Sequence, residues 1–173
     1  MQRAILIGAP GSGKSSVGKA LSRELSTSFQ DTDSLIVERE GRSIPEIFAA
    51  VGEVGFRAIE RQIVLEALSS NVGVLSLGGG AVLDEAVQGA ISKSHAHIIF
   101  LRVGLSQVLT RIGARGERPL LSDDPKGQWI DLYAQREPIY HQLATLEIDT
   151  DSKKPYEVAH ELKARMGLAH GEH

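Results

Sequence analysis

Between a short apolar run and an amphipathic stretch, residues 8 to 15 read GAPGSGKS, and no other feature of the chain limits its fold so tightly. The spacing is G-x-x-x-x-G-K-[ST], with Gly8, Gly13, Lys14 and Ser15 at the fixed positions. Branched apolar residues lead from Ala4 into Gly8, and Val17, Leu21 and Leu25 follow at i, i+4, i+8 spacing, so a strand runs into a helix through a glycine-rich turn. Gly8, Gly11 and Gly13 let successive backbone N–H groups curl toward one point, and the helix beginning near Lys14 adds its positive N-terminal end. Such a concavity binds phosphate. A turn that only joined strand to helix would need the glycines but not the Lys and the Ser. Gly11, Ser12, Gly13, Lys14, Ser15 and Ser16 are therefore the expected nucleotide-binding set for ATP, with Lys14 on the outer phosphates and the Ser15 hydroxyl on Mg²⁺.

The strand-then-helix alternation recurs along the chain. VGVLSL at 72 to 77 precedes a triple glycine, HIIFLRV at 97 to 103 precedes a helical stretch, and TLEID at 145 to 149 precedes a helix with Val158, Leu162 and Met166 on one face. Strands apolar throughout and separated by helices are covered on both faces, which predicts an α/β, doubly wound, five-stranded parallel sheet flanked by helices. Two stretches break the alternation. Residues 34 to 71 hold no convincing strand, and Ser43 and Glu46 have capping-box spacing ahead of an apolar run, so a helical insert is expected there. Residues 113 to 127, GARGERPLLSDDPKG, mix Gly, Pro and charge without period and read as a mobile surface loop.

Composition narrows the partners. At 173 residues with 42% hydrophobic content, the chain is the size of one domain, 1–173, with a real core. A formal charge of −3 and 5% aromatic residues argue against nucleic acid as a partner, since that binding rests on clustered cations and stacking rings. An anionic ligand would have to be held by local arginines. With no cysteine, thiolate metal sites, disulfides and a Cys nucleophile are excluded, and a reducing cytoplasm is compatible. The first apolar run is too short for a signal-peptide core, and no later run approaches the roughly 20 residues of a membrane span, so no membrane partner is expected.

Two carboxylates remain to be explained. In QDTDS, Asp31 and Asp33 are two residues apart after an apolar stretch ending at Phe29, and period-two alternation would put both on one face of a strand end. A metal, a proton, a substrate hydroxyl and a turn are all open readings for them.

The segments DTD at 31 to 33, GRSIPEIF, GEVGFRAIE, SLGGGAV, RPLL at 118 to 121 and REPIY at 136 to 140 occur after the glycine-rich loop in the order and spacing of the shikimate kinases. The chain resembles this family over roughly residues 4 to 156, and most of all its actinobacterial members. The resemblance implies a P-loop fold of the nucleoside-monophosphate-kinase type, with 34–71 as a helical substrate-binding subdomain and 113–127 as a lid loop. It implies ATP and shikimate as the small-molecule partners, Mg²⁺ as cofactor, and a cytoplasmic enzyme of aromatic amino acid (chorismate) biosynthesis, expected as a monomer. Shikimate is a carboxylate with three hydroxyls, and a guanidinium binds a carboxylate bidentately where an ammonium cannot.

By this resemblance, Arg57 and Arg136 take the carboxylate, and Asp33 takes ring hydroxyls, including the reacting one. Gly78, Gly79 and Gly80 line the site, the last two with backbone N–H groups, and Phe48, Phe56, Pro119 and Leu120 close around the ring. Glu60, at i+3 from Arg57, fixes its guanidinium. Arg118 is implied as the lid cation that meets the transferring phosphoryl group, and Arg111 and Pro155 as the two sides of an adenine sandwich. Lys14, Asp33 and Arg118 are thus the expected catalytic residues. Asp31, nearer the sheet, is read as a partner of Mg²⁺ through a metal-bound water, since that ion dehydrates reluctantly. Each residue also has a plainer reading: an Arg and Glu at i, i+3 can be a solvated pair, the triple glycine a tight turn, the phenylalanines core. Two rival functions stay open, another small-molecule kinase for gluconate or a nucleoside monophosphate, and a non-catalytic ATP-binding regulatory module.

Overall fold

The computed structural model describes residues 4–104, 107 and 125–170. Five strands, β1 (Ala4–Ile7), β2 (Phe29–Asp31), β3 (Val74–Ser76), β4 (His97–Arg102) and β5 (Leu146–Asp149), form one sheet in the order β2-β3-β1-β4-β5. Every pairing is parallel. The helices among the described residues are α1 (Lys14–Glu24), α2 (Thr32–Glu40), α3 (Ile44–Leu68), α4 (Glu85–Ser92), α5 (Pro125–Leu143) and α6 (Pro155–His170), with a 3₁₀ turn at Ala81–Leu83. The expected doubly wound sheet is therefore present.

Side-chain alternation along the central strands builds two cores. Ile5, Ile7, Leu75, Ile98 and Phe100 face α3, α4 and α5, while Ala4, Leu6, Val74, Ile99 and Leu101 face α1 and α6. All five residues of the first set and all five of the second are buried, as a parallel sheet covered on both faces requires. A third cluster, Ile36, Ile44, Ile47, Phe56 and Ile63, holds α2 against α3 in the expected helical insert. Its entry carries the full capping box: Glu46 N–H donates to Ser43 Oγ at 3.3 Å, and Ser43 N–H donates to Glu46 Oε1 at 3.4 Å. The insert is not a closed unit, because Val64 and Ala67 farther along α3 join the main core. α3 is also bent at Gly52, whose φ of 71° and ψ of −178° only glycine adopts readily.

Strand order decides where a ligand can sit. From β1 the chain goes out to β2 on one side and returns through β3, then crosses to β4 and β5 on the other. The crevice of an open α/β sheet lies at the carboxyl ends of strands where the winding reverses. Here the loops leaving β1 and β3 become neighbours, and they are GAPGSGKS and the triple glycine.

Candidate active site

The phosphate cradle forms over residues 8 to 15. Gly8, Gly11 and Gly13 have φ of 151°, 82° and 87°, a series that side chains would strain and that turns the backbone back on itself before α1. Lys14, Ser15 and Ser16 occupy the first turn of α1, with Gly13 as its N-cap residue. Among the described residues no side chain caps that end, so its N–H groups and the positive end of the helix dipole face the loop. Lys14 is buried, and its Nζ donates to the carbonyls of Gly8 and Ala9, each at 2.9 Å, and to Ser12 Oγ at 3.4 Å. The ammonium is thereby held inside the curl of the loop. Ser12 is itself anchored from the far side, where Thr150 Oγ1 donates to its carbonyl at 3.4 Å and to that of Arg102 at 3.0 Å.

The acidic pair is arranged differently from the strand-end expectation. Asp31 is the last residue of β2 and the N-cap of α2, while Asp33 already lies in the first turn of that helix. The cause is local: Asp31 Oδ1 accepts the N–H of Asp33 at 2.8 Å and of Ser34 at 3.3 Å, which satisfies the free donors of a helix start and turns the chain at once. The two aspartates therefore do not share one strand face: Asp31 ends β2 and Asp33 stands in the first turn of α2. Asp31 Oδ2 accepts from the Ser15 hydroxyl. A serine hydroxyl beside one carboxylate oxygen, its partner oxygen occupied by backbone N–H groups, suits Mg²⁺, which takes few protein ligands and keeps its waters. No cluster of three or more His, Cys, Asp or Glu that could cage a metal occurs among the described residues.

The other half of the crevice converges on the triple glycine. A methyl group on Gly80 would lie 2.6 Å from both Nη1 and Nη2 of Arg57. One on Gly79 would lie 2.7 Å from Pro10 Cδ and 3.2 Å from Nη1 of Arg136. Two guanidinium groups from α3 and α5 are thus pressed against consecutive glycines, and the same glycine loop touches the phosphate loop through Pro10. Arg57 Nη1 donates to Glu60 Oε1 at 2.7 Å, and Glu60 is only 3% exposed, so the guanidinium is fixed from within the protein. Its carbon lies 5.3 Å from the centroid of the Phe56 ring, which stacks on Phe48 with centroids 4.5 Å apart.

Several expected residues play other parts. Phe56 is fully buried, so it backs Arg57 and Phe48 and offers no face of its own to a ligand. Gly78 donates its N–H to Thr32 Oγ1 at 3.1 Å, which leaves Gly79 and Gly80 as the glycines whose N–H groups can serve a substrate. Asp33 is half-buried with Oδ1 shielded from solvent, and Arg136 is 4% exposed on α5. Pro155 opens α6 in an exposed position. Arg111, Arg118, Pro119 and Leu120, with most of the 113–127 stretch, lie outside the described residues.

Three residues with evident work were not singled out from the sequence. Thr32 sits between the two aspartates, Tyr140 ends REPIY and donates its hydroxyl to the Gly79 carbonyl at 2.5 Å, and Thr150 follows β5. The first two lay inside quoted motifs, and the fact that both are fully or almost fully buried polar side chains is the signal a structure adds.

A phosphate loop opening beside a two-arginine pocket, on a doubly wound parallel sheet, defines a P-loop kinase for a small anionic acceptor. Comparison with known proteins carries this further. A family model described as "Shikimate kinase" matches residues 10–167. Among curated relatives, the shikimate kinase of Rhodococcus jostii is 39% identical over 165 residues, covering 95% of this chain and 97% of that one. That of Thermobifida fusca is 41% identical over 156 residues, covering 90% of each. Among solved structures, shikimate kinase from Acinetobacter baumannii in complex with shikimate superposes with a TM-score of 0.91 at 30% identity, covering 98% of this chain and 94% of that chain. A gluconokinase from Sinorhizobium meliloti reaches a TM-score of 0.63 at 18% identity, a likeness of fold alone. The chain belongs to the shikimate kinase family.

Proposed function

We propose that this protein transfers the γ-phosphoryl group of ATP to the 3-hydroxyl of shikimate, giving ADP and 3-phosphoshikimate. The observation that carries this reading is the placement of Arg57 and Arg136 against Gly80 and Gly79, one packing contact from Pro10 of the phosphate loop. Two converging guanidiniums grip a carboxylate, and their distance from the phosphate loop brings a ring hydroxyl of a small acid to the transferring group. In this reading Gly79 and Gly80 offer N–H donors, Phe48 packs against the ring, and Glu60 holds Arg57 in place. Asp33, at the start of α2, orients the attacking hydroxyl. Lys14 exchanges its carbonyl partners for phosphate oxygens and spreads the charge of the transferring group, and Arg118 adds a second cation there. Mg²⁺, when bound, neutralises charge on the phosphates, and the residues that would hold it are Ser15 directly and Asp31 through water. Arg111 and Pro155 flank the adenine. We place this reaction in the cytoplasm, where ATP is at hand.

A coupled ADP-release assay over shikimate, quinate, gluconate and AMP tests the reading. Turnover that depends on shikimate and exceeds that with the other three is expected; faster turnover with gluconate or AMP would overturn it. Arg57→Ala should abolish shikimate binding while leaving ATP binding intact. Asp33→Asn separates proton acceptance from orientation: near-total loss of turnover with shikimate still bound marks the base.

A further inference from the structure

Tyr140 lies entirely inside the protein, yet carries a hydroxyl that the core must satisfy. It is one helical turn beyond Arg136 on α5, and its ring packs between Phe100, with centroids 5.1 Å apart, and Tyr133, at 6.5 Å. The hydroxyl donates to the carbonyl of Gly79 at 2.5 Å. All peptide bonds among the described residues are trans, so the C=O of Gly79 and the N–H of Gly80 point in opposite directions from one rigid plane. Holding that carbonyl toward α5 therefore directs the Gly80 N–H away from α5. The neighbouring planes are held too: the Gly78 carbonyl accepts from Ala81 N–H at 3.1 Å and the Gly80 carbonyl from Leu83 N–H at 3.1 Å. On the other side, Thr32 takes the Gly78 N–H.

We infer that Tyr140 is a positioning residue for the acceptor, its hydroxyl setting the Gly79–Gly80 peptide plane so that the Gly80 N–H donor meets a substrate hydroxyl. Glycine is the residue least able to fix its own orientation, since it lacks the side chain that restricts φ and ψ. A Cβ at Gly79 would strike Pro10 Cδ at 2.7 Å and one at Gly80 would displace the Arg57 guanidinium, so the loop stays glycine and its rigidity has to come from outside it. The Tyr140 hydroxyl supplies it. The same helix thus delivers Arg136 to the carboxylate end and Tyr140 to the back of the donor loop, linking both ends of substrate recognition to one rigid body.

The inference rests on the shikimate reading, and the experiment keeps the two apart. Tyr140→Phe retains the ring and removes only the hydroxyl. Shikimate affinity, measured by calorimetry on the full chain, should fall about tenfold, the factor that corresponds to one buried hydrogen bond, with ATP affinity unchanged. Kinetically, KM for shikimate should rise by a similar factor while KM for ATP stays put. Phe100→Leu loosens the same ring stack without touching the hydroxyl, and it should lower the thermal midpoint while leaving the ratio of the two KM values unaltered. Equal losses for both substrates in Tyr140→Phe, or the same shikimate-selective loss in Phe100→Leu, would reduce Tyr140 to ordinary core packing and overturn the inference. Wild-type protein that binds shikimate with Tyr140→Phe binding it equally well overturns the positioning role alone. Wild-type protein that fails to bind shikimate overturns the functional reading, and the positioning role with it.

Discussion

The two halves of the crevice are built in opposite ways. The phosphate side is one continuous run of eight residues, 8 to 15, whose backbone does most of the work and whose Lys14 is held by carbonyls five and six residues away. The acceptor side is assembled from α2, α3, the glycine loop and α5, and its contacts span up to 61 residues of sequence, as between Tyr140 and Gly79. A contiguous site is as rigid as its own turn. An assembled site is as rigid as the packing between the elements that carry it, so it can be tuned, and broken, from many more places.

The largest effect should come from the contiguous half. Lys14→Ala removes the cation from the centre of the loop, and kcat should fall on the order of a hundredfold or more, as for other groups that meet developing charge. Shikimate affinity, read by calorimetry, should stay within a factor of two or so if the halves are separable; a matching loss would break the comparison. Gly80→Ala probes the other half. Its Cβ would sit 2.6 Å from both terminal nitrogens of Arg57, so the guanidinium has to move. KM for shikimate should rise by about one to two decades with KM for ATP unchanged, because a displacement near 1 Å is enough for such losses.

Asp31 belongs to both halves, and two substitutions separate its duties. Asn caps helices as well as Asp, so Asp31→Asn should keep the thermal midpoint but raise the Mg²⁺ concentration needed for half-maximal rate. Asp31→Ala loses the cap as well and should cost about 1 kcal/mol of stability in urea unfolding. If the two variants unfold alike, Asp31 is not a cap that matters.

The smallest effect lies at the rear of α5. His141 is paired with Glu147 on β5 at 2.9 Å and with Glu137 on its own helix at 3.3 Å. The hydrogen bond to Glu147, with lesser help from Glu137, holds its pKa above the ordinary 6.5, against the opposing effect of burial. A raised histidine pKa stabilises the fold fully below the unfolded value, and that contribution is lost as pH rises through the folded value. The thermal midpoint should therefore drop slightly as pH rises from about 6.5, the unfolded value, into the range above it, and His141→Gln should flatten the drop. Shikimate KM should not follow, since His141 pairs with Glu137 and Glu147 rather than with the glycine loop; a parallel change would show that α5 transmits charge to the acceptor side.

The same contrast explains what the sequence could reveal. The phosphate loop and strands β1, β3, β4 and β5 are written in local rules, glycine spacing and unbroken apolar runs, and they stand where those rules place them. The capping box at Ser43 is equally local and equally present. Arg57, Glu60 and Arg136 were legible through family order, not through any physics of their spacing. The geometry of Asp31 and Asp33 was not legible, because a helix start and a strand end compete for the same three residues and a side-chain cap decides the outcome. Nor was the duty of Thr32 or Tyr140, since a buried hydroxyl declares itself only when its partner, 46 or 61 residues away, is in place.

Within three consecutive residues, Asp31 meets Ser15, Thr32 meets Gly78, and Asp33 enters the first turn of α2. The segment acts as a ruler between the donor and acceptor halves of the crevice, and its length cannot be edited. One extra residue would rotate everything beyond it by about 100° around the helix axis, carrying Asp33 off its face and detaching Thr32 from the glycine loop. Substitutions there can be graded; insertions and deletions cannot. For anyone reshaping this enzyme, the count from Asp31 to Asp33 is fixed by the contacts made at each end of it.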